Sequence, residues 1–287
     1  MIGLPSIWGR RWVRHWARTS RGQRRFEELL DVGYLLIPPV SGGAINLDGV
    51  DDQVTRGGTD DASLDVADNT SLCLQVICKL DAVGATGRGI AGKKAGLAAS
   101  NIGYLLRMSS GENVNWRCSD GTDQIATTND FNMVAGVWNT LTGILTANGA
   151  TNDDLIIYAN TELRSTVNST VLGSIENNQQ FRLGTVGGGG EFWDGGIAAA
   201  RVWIKSGQWT SAEIDYFVQN WNTLLLPPDA NQRLQWLAAD PGQTSLTDLS
   251  GNGLTGTLVG TTYEADPFVI PQWHRNRPER SSALIRM

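Results

Sequence analysis

The sequence predicts an all-β protein, a two-sheet antiparallel sandwich with one short helix and extended N- and C-terminal arms. Three observations predict it. Short apolar runs of period two recur along the chain with turn signals between them, the mark of half-buried strands. Glycine is abundant, 34 residues against 9 Pro in a chain of 287, which suits many tight turns. Charge is segregated: residues 1–30 hold seven arginines against Glu27 and Glu28, and residues 271–287 hold four arginines against Glu279. Residues 41–270 hold 12 basic and 25 acidic side chains. The expected division is a basic Trp/Arg-rich arm over 1–40, a sandwich over 41–270 and a basic C-terminal arm over 271–287.

The elements follow in order. Pro38, Pro39 and the Ser41-Gly42-Gly43 stretch separate the first arm from the body, because proline and glycine interrupt regular structure. AINLDG (44–49) opens the body. SLCLQVICKLD (71–81) alternates as a half-buried strand should. Strands are expected at 88–94, 102–110 and 113–120, the last two joined by an SGEN hairpin turn at 110–113. VWNTLTGILTA (137–147) and DLIIYAN (154–160) flank NGATND, a second hairpin signal. FRLGTV (181–186) and EFWDGGIAAARVWIKSG (191–207) come next. Small residues in the latter predict close approach of a neighbouring backbone. TSAEIDYFVQNWNTLLL (210–226) predicts the one helix of the body, with Thr210 and Glu213 at capping-box spacing and Pro227-Pro228 as its stop. LTDLSGNGLTGTLVG (246–260) reads as a turn and a strand.

The strings GAINLDGVDDQV (43–54), SLCLQVICKL (71–80), GIAGK (89–93), GYLLRMSSGENVNWRC (103–118), VWNTLTGILT with DLIIYANTEL (137–163), and FRLGTV with FWDGGIAAARVWIKSGQWTSAEI (181–214) stand in that order. Together they resemble the laminin-G-like domains of the concanavalin A-like lectin-glucanase superfamily. Thr161 occupies a position where that family usually has glycine. LTDLSGNGLTGTL (246–258) is also family-like, but in the family it precedes the DG strand, so here it implies an appended strand. The resemblance implies a jelly roll over roughly residues 43–265. It leaves function open, because this fold hosts lectins, hydrolases and purely structural modules.

The first arm carries Trp8, Trp12 and Trp16, with Arg10, Arg11, Arg14 and Arg18 around them. On a helix that spacing puts three indoles on one stripe. Tryptophan and arginine are the residues most enriched at interface hot spots. Arg275 and Arg277 offer the same chemistry at the other end. The stripe can pack on the chain's own sandwich, on a partner protein or on the acidic body of a neighbouring copy. Basic, Trp-rich chain can also touch phosphates, but no nucleic-acid recognition motif is present, and no apolar run approaches a membrane span.

Catalytic signals are sparse. Glu213-Ile214-Asp215 resembles the start of the family's E-x-D-x-x-E strand, but Gln219 and its neighbours supply no third carboxylate, and Glu213 has a capping role. The only histidines, His15 and His274, lie in the arms, so the body holds no Ser-His-Asp set. Gly187–Gly190 lacks the Lys-Ser/Thr ending of a phosphate loop. Cys73, Cys78 and Cys118 are expected as free buried thiols, the first two on opposite faces of one strand. No cofactor is expected. Calcium is the one metal the loops suggest, through Asp48, Asp51 and Asp52 on one turn, although such aspartates also serve plain turns. Trp193 and Trp209 are the candidate sugar platforms at the loop rim.

The chain is thus expected to be a non-enzymatic structural or interaction module, anchored by its arms in a larger assembly. Such arms around a jelly roll resemble virion components, capsid decoration or tail proteins. Expected partners are other subunits, copies of itself among them. A glycan-binding adhesion module is the alternative, with surface glycans as ligands, and a glycoside hydrolase the remote one. No secretory signal is evident, so synthesis in the cytoplasm and residence in the virion are expected.

Overall fold

The computed structural model describes residues 43–264, apart from short stretches at 57–60, 85, 150–151, 169–170, 188–189, 221–225 and 239–241. The described strands are β1 (Ala44–Asp48), β2 (Gln53–Arg56), β3 (Thr70–Lys79), β4 (Arg88–Lys94), β5 (Gly103–Met108), β6 (Asn113–Ser119), β7 (Asp123–Asn132) and β8 (Trp138–Thr146). They continue with β9 (Asp154–Ala159), β10 (Glu162–Asn168), β11 (Arg182–Leu183), β12 (Asp194–Ser206), β13 (Gln232–Leu237), β14 (Ser245–Leu246), β15 (Gly256–Val259) and β16 (Thr262–Glu264). One α-helix, α1, spans Ser211–Gln219. No helix among the described residues is long and apolar enough to cross a membrane.

The strands form two antiparallel eight-stranded sheets, packed as a jelly-roll sandwich. Sheet I runs β10-β9-β8-β3-β12-β1-β16, with β13 also paired to β12. Sheet II runs β14-β15-β2-β11-β4-β5-β6-β7. The appended strand is here: β15 pairs with β2, Leu258 opposite Val54, and extends the edge of sheet II.

Alternation along each strand decides which side chains enter the core. Leu72, Leu74, Val76 and Cys78 of β3 join Ala200, Val202 and Ile204 of β12 in the cluster that also holds Leu106, Met108 and Trp116. Cys73 falls in a different cluster, with Trp203 and Phe217. The two cysteines do face opposite ways, and all three thiols are free and buried. Gly143 makes room for an indole, since a Cβ there would lie 2.4 Å from the Trp116 ring. Gly195 meets the close approach expected of β12: its φ is +145° and a Cβ would lie 2.1 Å from the Lys79 carbonyl oxygen.

Three expectations need correction. The strand at 71–81 is not half-buried, because Ser71–Lys79 is buried on both faces. On sheet I's outer face α1 covers Gln75, which donates to the Phe217 carbonyl, and the turn before α1 covers Ser71, whose hydroxyl donates to the Gly207 carbonyl. The helix described is shorter than 210–226 and is capped by Asn220, whose N–H bonds Tyr216 O; residues 221–225 lie outside the described residues. Strands β2, β7, β10, β13 and β16 were not anticipated.

Candidate functional site: an aromatic groove under the helix

The groove lies on the outer face of sheet I. Strand β12 sends Ala200, Val202 and Ile204 inward, so Arg201, Trp203 and Lys205 must face outward. Helix α1 starts beside them. Thr210 accepts from the Glu213 N–H and Glu213 accepts from the Thr210 N–H, a complete capping box. The helix lowers Phe217 onto the sheet, where its ring lies 4.8 Å from Trp203 and edge-on at 5.0 Å from Trp209.

A buried polar layer sits beneath. Arg201 has no exposed surface and donates to Gln75 Oε1 at 2.5 Å. Gln75 Nε2 in turn donates to Thr142 Oγ1 and to the Phe217 carbonyl, each at 3.0 Å. Burial brings the Arg201 guanidinium down to about 10, against the usual 12.5. The same burial pushes the Cys73 thiol well up, with Arg201 opposing it. This layer ties the helix to the sheet.

Above it opens a groove of about 430 Å³, walled by Trp203, Trp209, Tyr216 and Phe217 and edged by Glu213 and Asp229. Lys205 closes one side. Its Nζ lies 4.9 Å above the Trp209 ring and bonds both Glu213 oxygens, at 2.8 and 2.6 Å. Asp229 marks the other side. Its Oδ2 accepts from Trp203 Nε1 at 3.0 Å, and its Oδ1 accepts from the Asn231 and Gln232 N–H groups at 2.8 and 3.0 Å. That carboxylate is exposed, held in place by three donors, and paired with no cation among the described residues. Trp209 Nε1 is buried and has no acceptor among the described residues.

The sequence-derived candidates fare unevenly. Trp8, Arg10, Arg11, Trp12, Arg14, Trp16, Arg18, Arg275 and Arg277 lie outside the described residues. Trp193 and Trp209 are not exposed sugar platforms. Trp193 is fully buried between the sheets, because the chain before β12 turns its indole into the core. Trp209 is 4% exposed, pinned by Phe217 on one side and Lys205 on another; it borders the groove without offering a free face. Glu213 caps the helix and pairs with Lys205, while Asp215 points to solvent. Asp48, Asp51 and Asp52 do converge, with carboxylate oxygens within 4.8 Å of one another. Yet Asp48 Oδ1 already accepts from the Val50 N–H at 2.8 Å, and Asp52 Oδ2 from the Asp48 N–H at 3.0 Å. Burial first, then the charges of Asp48 and Asp51, raise the Asp52 carboxyl against the pull of the Asp48 N–H. The same aspartates therefore serve the turn, while calcium takes six to eight oxygens, backbone carbonyls and waters among them.

Trp203, Tyr216, Phe217 and Asp229 were missed as site residues. Trp203 sits at an alternating apolar position, and Asp229 follows Pro227-Pro228 with no motif around it. The signal was in β12: an Arg-x-Trp-x-Lys row opposite an apolar row needs a cover of its own.

A family model described as Concanavalin A-like lectin/glucanases superfamily matches residues 48–215, more than half of the chain. The chain belongs to the concanavalin A-like lectin/glucanase superfamily. The span matched on this concanavalin A-like chain runs from the Asp48 turn into α1, so it includes Trp203 and Trp209 but stops short of Tyr216 and Asp229. No curated protein sequence gives a significant match. Among solved structures, a native heptameric SAP-like pentraxin from Limulus polyphemus is 12% identical with a TM-score of 0.46, over 77% of this chain and 97% of its own. The CBM40 of a Ruminococcus gnavus IT-sialidase, bound to α2,3 sialyllactose, is 11% identical with a TM-score of 0.46, over 61% of this chain and 96% of its own. The enzymatically active domain of bacteriophage CBA120 tailspike protein 2 is 13% identical with a TM-score of 0.43, over 68% of this chain and 32% of its own.

Proposed function

We propose that the chain is a non-catalytic binding module, a rigid acidic sandwich held in a larger assembly by its basic arms. The observation that carries this is the charge division: seven arginines against two glutamates in residues 1–30, and 25 acidic against 12 basic side chains in residues 41–270. A basic arm and an acidic body are complementary between copies, and opposite patches steer association and fix orientation. Arm tryptophans supply apolar area and the arginines its direction. A virion, as capsid decoration or tail, is the assembly this reading favours.

The absence of a reaction in this reading rests on how the body's carboxylates are used. Glu213 caps a helix, Asp229 and Asp248 organise turns, and Glu191 holds Arg107 through two bonds at 3.0 and 2.7 Å. Asp123 is shared by Lys94 and Arg117. Removing residues 1–40 tests the proposal. Light scattering and cross-linking are expected to show assembly in the full chain and its loss in the shortened one, with an unchanged thermal midpoint. Undiminished assembly without the arm overturns it. Calcium and EDTA are both expected to leave the thermal midpoint where it is.

The superfamily's lectins give a second reading, a glycan-binding adhesion module. A glycan array on the full chain decides between the two: specific sugar binding that survives removal of residues 1–40 favours adhesion.

A further inference from the structure

Eight large apolar side chains stand exposed among the described residues, and four of them share one end of sheet I. Three loops meet there. The β1–β2 turn reaches β12 at Gly49, where a Cβ would lie 2.8 Å from Asp194 Cβ. The loop after β3 joins them through the Asp81 N–H, which donates to the Asp194 carbonyl at 3.0 Å. The β7–β8 turn completes the row, with the Gly136 N–H on the Leu80 carbonyl at 2.7 Å. One or two residues from these joints stand Val50, Val83, Val134 and Val137, which are 68%, 53%, 60% and 44% exposed. In the single chain these side chains face water, so only another molecule can cover them. Exposed apolar side chains gathered on one rim mark an interaction surface, where scattered ones do not.

The rim is acidic as well as apolar. Its cations are answered within it: Arg88 pairs with Asp194 at 3.1 Å, and Lys79 with Asp81 and Glu264 at 3.2 and 2.5 Å. Asp48 and Asp51 flank Gly49-Val50, are exposed, and pair with no cation among the described residues. Such a surface fits a segment that brings apolar area and positive charge together. The chain carries one in its own first arm, where Trp8, Trp12 and Trp16 are interleaved with four arginines between positions 10 and 18. Indole burial supplies affinity in a contact of this kind, and the charges set its orientation.

Where the arms join the body sets the geometry. Ala44 at the start of β1 and Glu264 at the end of β16 are register partners, so both arms join the body side by side. The rim begins at Asp48, the other end of β1. An arm at one end and a receiving surface at the other make a head-to-tail contact between copies. We infer that the valine rim, with Asp48 and Asp51, receives the Trp/Arg segment 8–18 of a second copy. The inference rests on the reading of the arms as anchors and adds the surface they grip.

The test uses full-length chains in sedimentation velocity. The unaltered chain is expected to form species larger than a dimer, because a head-to-tail contact repeats. Asp51→Lys reverses a rim charge and Val134→Ser removes rim apolar area. Neither side chain is bonded among the described residues, so thermal midpoints should not move. Each change is expected to weaken self-association roughly tenfold. An arm variant, Arg11→Glu with Arg14→Glu, is expected to weaken it as much. Mixing that arm variant with a rim variant carrying Asp51→Lys and Val134→Ser brings one intact arm to one intact rim. The mixture is expected to give one-to-one pairs that neither component forms alone. Self-association that survives the rim changes but not the arm variant overturns the inference and leaves the arms gripping another surface. Survival in the arm variant overturns the anchor reading and the inference with it. A monomeric full chain, or a mixture as dissociated as its components, also overturns the inference.

Discussion

The interior between the sheets and the layer beneath α1 both bury tryptophan, but they finish it differently. Trp116 and Trp236 are fully buried in the interior, and each indole N–H donates to a backbone carbonyl, of Ile144 at 3.0 Å and of Leu254 at 2.6 Å. Trp203 is buried too, but its N–H goes to the carboxylate of an exposed aspartate. Trp209 has a buried N–H with no acceptor among the described residues. The interior is not fully answered either, because Trp193 Nε1, buried between the sheets, has no acceptor among the described residues. What sets the outer layer apart is the exposed carboxylate of Asp229 at the edge of a cavity, which holds a buried indole N–H from outside.

The largest test of that contrast is Trp116→Ala. It removes an indole that packs on Gly143 and tilts against Tyr104 at 6.2 Å, and a loss of about 3–5 kcal/mol in urea unfolding is expected. A loss under about 1 kcal/mol would mean the core is not the closed, dense body described. Trp203→Phe is the matched change outside. It keeps most of the ring contact with Phe217 and deletes the bond to Asp229, so a loss of about 1–3 kcal/mol is expected. Its distinguishing sign is local: amide exchange should rise at Asn231 and Gln232, whose N–H groups rest on that same carboxylate. Thr210→Ala comes next, at about 1 kcal/mol for a lost N-cap, seen as a lowered thermal midpoint and a frayed start to α1.

Much of this was legible in the sequence, and the parts that were not have a common cause. Period-two alternation announced β3, β8, β9 and β12, and the Thr210–Glu213 pair announced the start of α1, because both signals are local. The opposite faces of Cys73 and Cys78 followed from strand geometry alone. β7 and β10 are edge strands with polar residues on both sides, DQIATTNDFN and ELRSTVN, so no apolar period marks them. The double burial of β3 was hidden because its cover arrives from 140 residues later in the chain, through Gln75 and the Phe217 carbonyl. The groove was hidden for the same reason. Trp203, Tyr216 and Asp229 come from a strand, a helix and a turn, and only tertiary packing makes them neighbours. Trp193 and Trp209 misled because a tryptophan beside glycines or in a loop looks exposed until the packing is known.

The smallest expected effect concerns pH, on the side of the groove that Lys205 closes. Burial works to raise the Glu213 carboxyl, but the bonds from Lys205 and Thr210 outweigh it and hold the group below its ordinary value. A carboxylate whose folded value is depressed stabilises the fold fully above the unfolded value, about 4.3 for glutamate. That contribution fades as pH falls through the lower folded value. Glu213→Gln isolates the charge, because glutamine still completes the capping box. Urea midpoints of the two proteins should therefore differ by a constant amount from about pH 7 down to about pH 5 and draw together as pH falls below about 4.3 toward the lower folded value. Lys205 loses its ionised partner only once pH has passed that lower folded value. A gap that widens on acidification would mean that the Glu213 carboxylate is not what holds Lys205 over the Trp209 ring.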